Sequence, residues 1–271
     1  KIPGLGNVMV SNHDHDGDGL NDLVLTRSHH DGGPDSLLIF FEPNQLSTGL
    51  DTEDADVIIE LDASAGRLHP YSLGDVDMDG QVDLGVGIHD SAAGVPGGVI
   101  VSWARIAGLY DLETESSLFF YGPPITFGAI NDLDDDGHGE LLLGTDVLYR
   151  LDLPIPSGTM DLIDADAATP LPSEYGDIHS IDTDAPDLGQ RSRIGVMANY
   201  ADESRGAVYL PQPIWPDDMV IGQSGLSIIG DAPGDVLGTS LVFIEAFEDS
   251  AVGLVVGAPG RDIAGENAGA L

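Results

Sequence analysis

A nine-residue acidic pattern occurs three times in the chain and constrains its fold more than any other feature. The copies read Asp14-His15-Asp16-Gly17-Asp18-Gly19-Leu20-Asn21-Asp22, Asp75-Val76-Asp77-Met78-Asp79-Gly80-Gln81-Val82-Asp83 and Asp132-Leu133-Asp134-Asp135-Asp136-Gly137-His138-Gly139-Glu140. Their first residues stand 61 and 57 positions apart (75 against 14, 132 against 75). A short apolar stretch precedes each copy, at 6–10, 71–73 and 126–130, and another comes directly after it, at 23–25, 84–88 and 141–143. Self-similarity at such a period means one supersecondary unit used repeatedly, because a single unit of this size cannot bury its own apolar face and must stack on its neighbours.

In every copy carboxylates stand at positions 1, 3, 5 and 9 and glycine at position 6. Carboxylates this close repel one another unless a cation sits among them. Calcium takes six to eight hard oxygen ligands in a forgiving geometry, which a tight loop supplies from alternate side chains, one main-chain carbonyl and water. The pattern therefore predicts about three calcium sites. Their candidate ligands are Asp14, Asp16, Asp18 and Asp22 with the carbonyl of Leu20; Asp75, Asp77, Asp79 and Asp83 with that of Gln81; and Asp132, Asp134, Asp136 and Glu140 with that of His138. Glycine at position 6 permits the sharp turn between the fifth and seventh positions. The same nine residues also open an EF-hand, whose twelfth position is a bidentate Glu on a helix. Here the twelfth position is Leu25, Val86 or Leu143, each in an apolar β-like run, so the loops are expected to connect β-hairpins.

Short runs rich in Val, Ile, Leu and aromatics, such as 37–41, 57–61, 99–103, 117–121, 141–144 and 254–257, recur between Gly, Pro, Asp and Asn. No stretch keeps a helical period over three turns, and 36 Gly with 17 Pro would interrupt any that tried. The expectation is an all-β fold. Strand, acidic loop, strand, turn, strand, longer link and strand in each period is the content of a four-stranded β-propeller blade. The approximate repeats are 4–66, 67–122, 123–174, 175–230 and 231–271, one propeller region in all. The fourth and fifth keep strand-like runs at 178–181, 194–197, 206–210, 237–244, 252–257 and 268–271 but lack the acidic loop. With 1–3 too short to donate a strand and the fifth repeat lacking an outer one, the ring is expected not to close on itself, leaving an edge open to self-association.

A formal net charge of −38, from 9 Lys and Arg against 47 Asp and Glu, excludes nucleic acid and anionic membrane as expected partners, since both would be repelled. Lys1 is the single lysine, an acidic and lysine-poor balance like that of salt-adapted surfaces. With no cysteine, neither disulfides nor thiolate metal sites are available. No run of about 18 apolar residues occurs, so no helical membrane insertion is expected, and the opening residues lack signal-peptide anatomy.

The chain resembles the FG-GAP repeats of integrin α-subunits and bacterial surface proteins. The resemblance rests on Asp75 to Asp83 with Leu84-Gly85-Val86-Gly87, on Asp134 to Glu140 with Leu141-Leu142-Leu143-Gly144, and on the loop-free Gly234-Asp235-Val236-Leu237-Gly238-Thr239-Ser240-Leu241 with Leu254-Val255-Val256-Gly257-Ala258-Pro259-Gly260. It implies blades about a central axis, calcium loops on one face, and ligand binding on the opposite face or rim. The family commonly has seven blades, against about five here, of which the last two lack the metal loop.

His13, His15, His29 and His30 surround the first loop, where they read as solvated residues, His13 and His15 pointing outward between ligands. Asp182-Thr183-Asp184-Ala185-Pro186-Asp187 reads as an acidic turn, and Gly260-Arg261-Asp262 is not the adhesive Arg-Gly-Asp order. No nucleophile elbow, His-Glu-x-x-His or phosphate loop is present, so no enzyme is expected. The functional expectation is a secreted or cell-surface calcium-binding propeller that meets a protein or glycan. Alternatives are a structural subunit of a surface or filamentous assembly, and an accessory domain of a larger secreted enzyme.

Overall fold

The structure, a computed structural model, describes residues 5–9, 14–27, 35–41, 51–61, 67–89, 97–101, 108–111, 118–128, 132, 138–155, 157–170, 178, 180–184, 193–198, 205–210, 226–238, 241–245 and 252–260. The fold is all-β, with two single-turn 3-10 helices at Thr52–Asp54 and Leu162–Asp164 among the described residues. Strands β1 (Leu5–Met9), β2 (Leu23–Arg27), β3 (Asp35–Phe40) and β4 (Val57–Leu61) come from the first repeat. The second supplies β5 (Arg67–Gly74), β6 (Asp83–His89), β7 (Gly98–Val101), β8 (Gly108–Asp111) and β9 (Leu118–Tyr121). From the third come β10 (Thr126–Phe127), β11 (Glu140–Gly144), β12 (Val147–Asp152), β13 (Gly158–Asp161) and β14 (Ala167–Pro170). The fourth carries β15 (Ser180–Asp184), β16 (Arg193–Ala198), β17 (Ala207–Leu210) and β18 (Leu226–Ile229), and the fifth β19 (Leu241–Glu245) and β20 (Val252–Val256).

These strands form five sheets, each an antiparallel meander in chain order: β1-β2-β3-β4, β5-β6-β7-β9, β10-β11-β12-β14, β15-β16-β17-β18 and β19-β20. The expected four strands per repeat describe the third and fourth sheets. The first two depart from it, because β8 joins the outer edge of β4 and β13 joins that of β9, both in parallel. Each added strand lies in the link between the third and fourth strands of the next repeat. Parallel neighbours need such a crossover, whereas hairpins give only antiparallel ones.

By compactness the chain divides into two units, one of Lys1–Ile125 with Pro154–Asp164 and one of Thr126–Leu153 with Ala165–Leu271. In the first unit, Val24, Leu37, Ile39, Val57 and Ile59 pack with Leu68, Leu84, Val86, Ile88, Val99 and Val101 of the second sheet. Leu25, Leu38 and Phe40, one residue out of phase, pack with Leu23, Ala55 and Ile58 on the other face of the first sheet. Successive side chains of a strand point to opposite faces, so a sheet buried on both faces reads as an unbroken apolar run. That is why 37–40 shows no alternation.

In the second unit the core includes Phe127, Leu141, Leu142, Leu143, Leu148, Ile178, Ile181 and Val196. Close sheet packing there depends on glycine: a methyl on Gly128 would stand 2.8 Å from Ile181 Cγ2, and one on Gly144 would meet Ile178. The Thr126 hydroxyl donates to the Ile178 carbonyl at 3.1 Å, and the Ile178 N–H to the Thr145 carbonyl at 2.6 Å. Asp182 and Asp184, read as part of an acidic turn, lie instead on β15, paired with Gly195 and Arg193 of β16.

Candidate metal centre

Each acidic loop connects the first strand of its sheet to the second, β1 to β2, β5 to β6 and β10 to β11. The residues on the C-terminal side of each loop are strand, and Leu25, Val86 and Leu143 are buried in it; this is hairpin, not helix-loop-helix. A bulge at the Ser72/Gly74 step of the β5–β6 ladder lies next to the second loop. One extra residue there bends the strand and sets the direction in which the acidic loop leaves it.

The ninth position anchors the loop from below. Asp22 is 2% exposed and Asp83 fully buried. Asp22 Oδ2 accepts the N–H of His15 at 2.5 Å, and Asp83 Oδ2 that of Val76 at 2.7 Å. Position 2 is thereby drawn inward. His15 is 2% exposed, which corrects the expectation that it points outward: its main-chain bond to Asp22 carries the side chain in, as the equivalent bond buries Val76. Histidines 13, 29 and 30 lie outside the described residues.

Above this anchor the chain winds around the first carboxylate. Asp14 Oδ1 accepts from Asp18 N at 3.0 Å and from Gly17 N, while its Oδ2 accepts from Gly19 N at 2.7 Å. In the second loop Asp75 Oδ1 accepts from Asp79 N at 2.9 Å and Oδ2 from Gly80 N at 2.8 Å. The third carboxylate takes the same N–H, Asp16 from Asp18 at 3.0 Å and Asp77 from Asp79 at 3.2 Å. The fifth accepts from position 7, Asp18 from Leu20 at 2.7 Å and Asp79 from Gln81 at 2.8 Å. Such winding needs left-handed backbone at positions 4 and 6: φ is 73° and 90° at Gly17 and Gly19, 62° and 89° at Met78 and Gly80. Methyl groups on Gly19 or Gly80 would meet nothing within 4 Å, so conformation, not space, requires glycine there.

Acceptance of these N–H groups sets the charge on each oxygen. At Asp14 burial pushes the pKa up, but N–H donation from Gly19, Gly17 and Asp18 outweighs it and holds the carboxyl below its ordinary value. Asp16 is pushed up by burial and by the neighbouring charges of Asp18 and Asp14, against the N–H of Asp18. Asp22 is raised to about 6, by burial first and then by the charges of Asp16 and Asp14, with the N–H of His15 opposing.

Carboxylate oxygens of Asp14, Asp16 and Asp18 come within 4.8 Å of one another, as do those of Asp75, Asp77 and Asp83. Either group could hold a metal ion. Asp22 does not join the first group, nor Asp79 the second, so each of these two loops gathers three of its four candidate carboxylates. Asp22 Oδ1, outside the first group, is buried without a hydrogen-bond partner. An ionised oxygen in that state is costly unless something positive reaches it.

In the third loop Asp132 is half-buried, His138 exposed, and Glu140 is 1% exposed at the first residue of β11, the place that Asp83 holds in β6. Asp134 and Asp136 lie outside the described residues. What reading by composition missed is position 2, whose N–H fixes the ninth carboxylate. The signal was an apolar residue, Val76 or Leu133, set among acids where solvated turns have no use for one.

Compared with known proteins, the chain matches no family model and no curated sequence.

Proposed function

We propose that this chain is a calcium-loaded β-propeller segment of the FG-GAP type that acts as an extracellular binding or adhesion module for a protein or glycan. The observation that carries the metal reading is the common wiring of two loops whose other residues differ. Positions 1, 3, 5 and 9 share five N–H acceptances between the two loops, the first loop adding only that of Gly17 to Asp14, although positions 2, 4, 7 and 8 hold His15, Gly17, Leu20 and Asn21 in one and Val76, Met78, Gln81 and Val82 in the other. Solvated acidic turns have no reason to share that geometry. A hard oxygen set in a flexible loop suits calcium better than magnesium, which demands near-ideal octahedral geometry.

Meandering sheets with the acidic hairpin between first and second strands support the blade assignment. The binding role comes from that assignment and from the absence of a recognisable catalytic motif. Isothermal titration of metal-free protein tests the first half: the expected result is calcium binding at about three sites, in the 10⁻⁴ to 10⁻³ M range of extracellular modules, with magnesium much weaker. No heat of calcium binding, together with an unchanged melting temperature in chelator, would refute it. A glycan and extracellular-protein array probed with and without calcium tests the second half; binding indifferent to both metal and ligand class would count against a recognition module.

A further inference from the structure

One segment of the third repeat has left its own sheet. Pro154–Asp164 groups with the first unit, while Thr126–Leu153 before it and the chain from Ala165 onward belong to the second. Its strand, β13, lies on the outer side of β9, paired in parallel from Leu118↔Gly158 to Tyr121↔Asp161. Little apolar surface holds it there: Gly158, Thr159 and Asp161 are exposed and Met160 is half-buried. The buried anchors flank the strand, Ile155 and Leu162 each being 5% exposed. A strand fixed by a four-residue ladder and two flanking side chains stands at the low end of local stability.

The first of these anchors is tied to the second acidic loop. Ile155 donates its N–H to the Val76 carbonyl at 3.3 Å. Val76 is position 2 of that loop, is 2% exposed, and gives its own N–H to Asp83 Oδ2 at 2.7 Å. Two residues before Ile155, Leu153 still donates to the Gly139 carbonyl of its own repeat, at 3.0 Å, so the departure falls at Pro154. Asp83 shares its oxygen group with Asp75 and Asp77. Whatever holds these three carboxylates together therefore also fixes the carbonyl that Ile155 uses. When the carboxylates part, Asp83 and Val76 shift with them, and a buried residue's N–H loses its acceptor, a costly state that favours release of the segment.

We propose that the segment carrying Ile155 and β13 is a strap that metal in the second loop closes and loss of metal opens. The proposal rests on the calcium reading above and deepens it, giving the second site a regulatory output. Opening removes the neighbour of β9 on that side and leaves Leu118–Tyr121 as the edge of its sheet, with main-chain groups available for pairing. The chain thus covers this edge at high calcium and uncovers it at low calcium. Linkage is reciprocal: docking of the strap raises the calcium affinity of the second loop by the factor by which calcium favours docking.

Hydrogen exchange on the full chain, in a few millimolar calcium and in chelator, tests the strap. Chelation is expected to speed exchange at 157–161 at least tenfold more than at 207–210, which lie in a repeat without an acidic loop. In calcium, Asp77→Ala is expected to reproduce the fast exchange at 157–161, and Asp16→Ala to leave it slow. By reciprocity, Ile155→Ser is expected to weaken one calcium site at least fivefold in isothermal titration and to spare the others; should that variant fold poorly, the exchange measurement on the unaltered protein decides. Calcium binding with unchanged exchange at 157–161, equal quickening at 207–210, or equal release by Asp16→Ala would overturn the strap and leave the calcium reading standing. No heat of calcium binding would refute that reading, and the strap with it.

Discussion

At Met78 one side chain stands where its sister loop has glycine. Its φ of 62° lies in the left-handed region, as does the 73° of Gly17 at the same place in the first loop, and Met78 is 51% exposed. A residue with a Cβ loses roughly 1–2 kcal/mol in that conformation, while glycine costs about 0.5–1 kcal/mol in unfolded-state entropy. Met78→Gly is therefore expected to stabilise the protein by up to about 1 kcal/mol, read as a higher urea midpoint without a change in slope. A lower midpoint would mean that the methionine makes a contact that outweighs its backbone. Asp22 poses the opposite problem, a buried carboxylate with one bare oxygen. Its pKa is raised from 3.8 to about 6, so the metal-free protein loses stability as pH rises from about 4 to about 6, where the unfolded state releases its proton before the folded state does. Asp22→Asn removes the charge. In chelator at pH 7.5 the variant is expected to melt at or above the unaltered protein, and in millimolar calcium below it. Lower melting in both conditions would show Asp22 acting through its bond to His15 N–H alone.

At the level of elements, the antiparallel meanders were legible because their strands carry large apolar side chains between glycine and acidic breaks, and the loops because carboxylate spacing is a local property. The run 57–61 is β4 to the residue. The fifth strands were not legible. Gly108–Asp111 and Gly158–Asp161 are four residues long, have no alternation, and take their strand conformation from an edge contributed by the preceding repeat, a case of tertiary context overriding local propensity. The inward turn of His15 was hidden for a related reason: it arises from a main-chain donor, which side-chain chemistry does not announce. If β8 is held by its ladder with β4 and by the Gly108 N–H to the Asp56 carbonyl at 2.9 Å, then Tyr110→Pro, which deletes the next main-chain donor on the side of Gly108 that faces β4, is expected to release the strand and leave the rest of the sheet standing. Hydrogen exchange should then quicken at 57–60 in β4 more than at 84–88 in β6. Uniform quickening in both sheets would mean that β8 is needed by the whole unit rather than by one edge.

On the scale of the whole molecule, charge sets the terms. With a formal net charge of −38 on 271 residues, the folded chain holds its carboxylates closer together than the unfolded one does, and self-repulsion opposes compaction. Two remedies exist and can be told apart. Simple salt screens exposed charges over about 10 Å at 0.1 M, wherever on the surface they stand, and buried ones such as Asp83 and Glu140 much less. Calcium bound in the loops acts at chosen points and adds, for each site at 100 times its dissociation constant, about 2.7 kcal/mol. The expected melting curves therefore separate. In chelator, sodium chloride raised from 10 to 150 mM should lift the melting temperature modestly and continuously. Calcium at a few millimolar, whose added ionic strength is small by comparison, should lift it further, and magnesium at the same concentration should give only the screening part. The calcium increment should also fall in steps when Asp16→Ala and Asp77→Ala are introduced singly and then together, because each loop holds its own ligand set. If magnesium reproduces the calcium shift, or if the double substitution leaves it intact, then the loops are solvated acidic hairpins and the ion acts on the molecule only as general counter-charge.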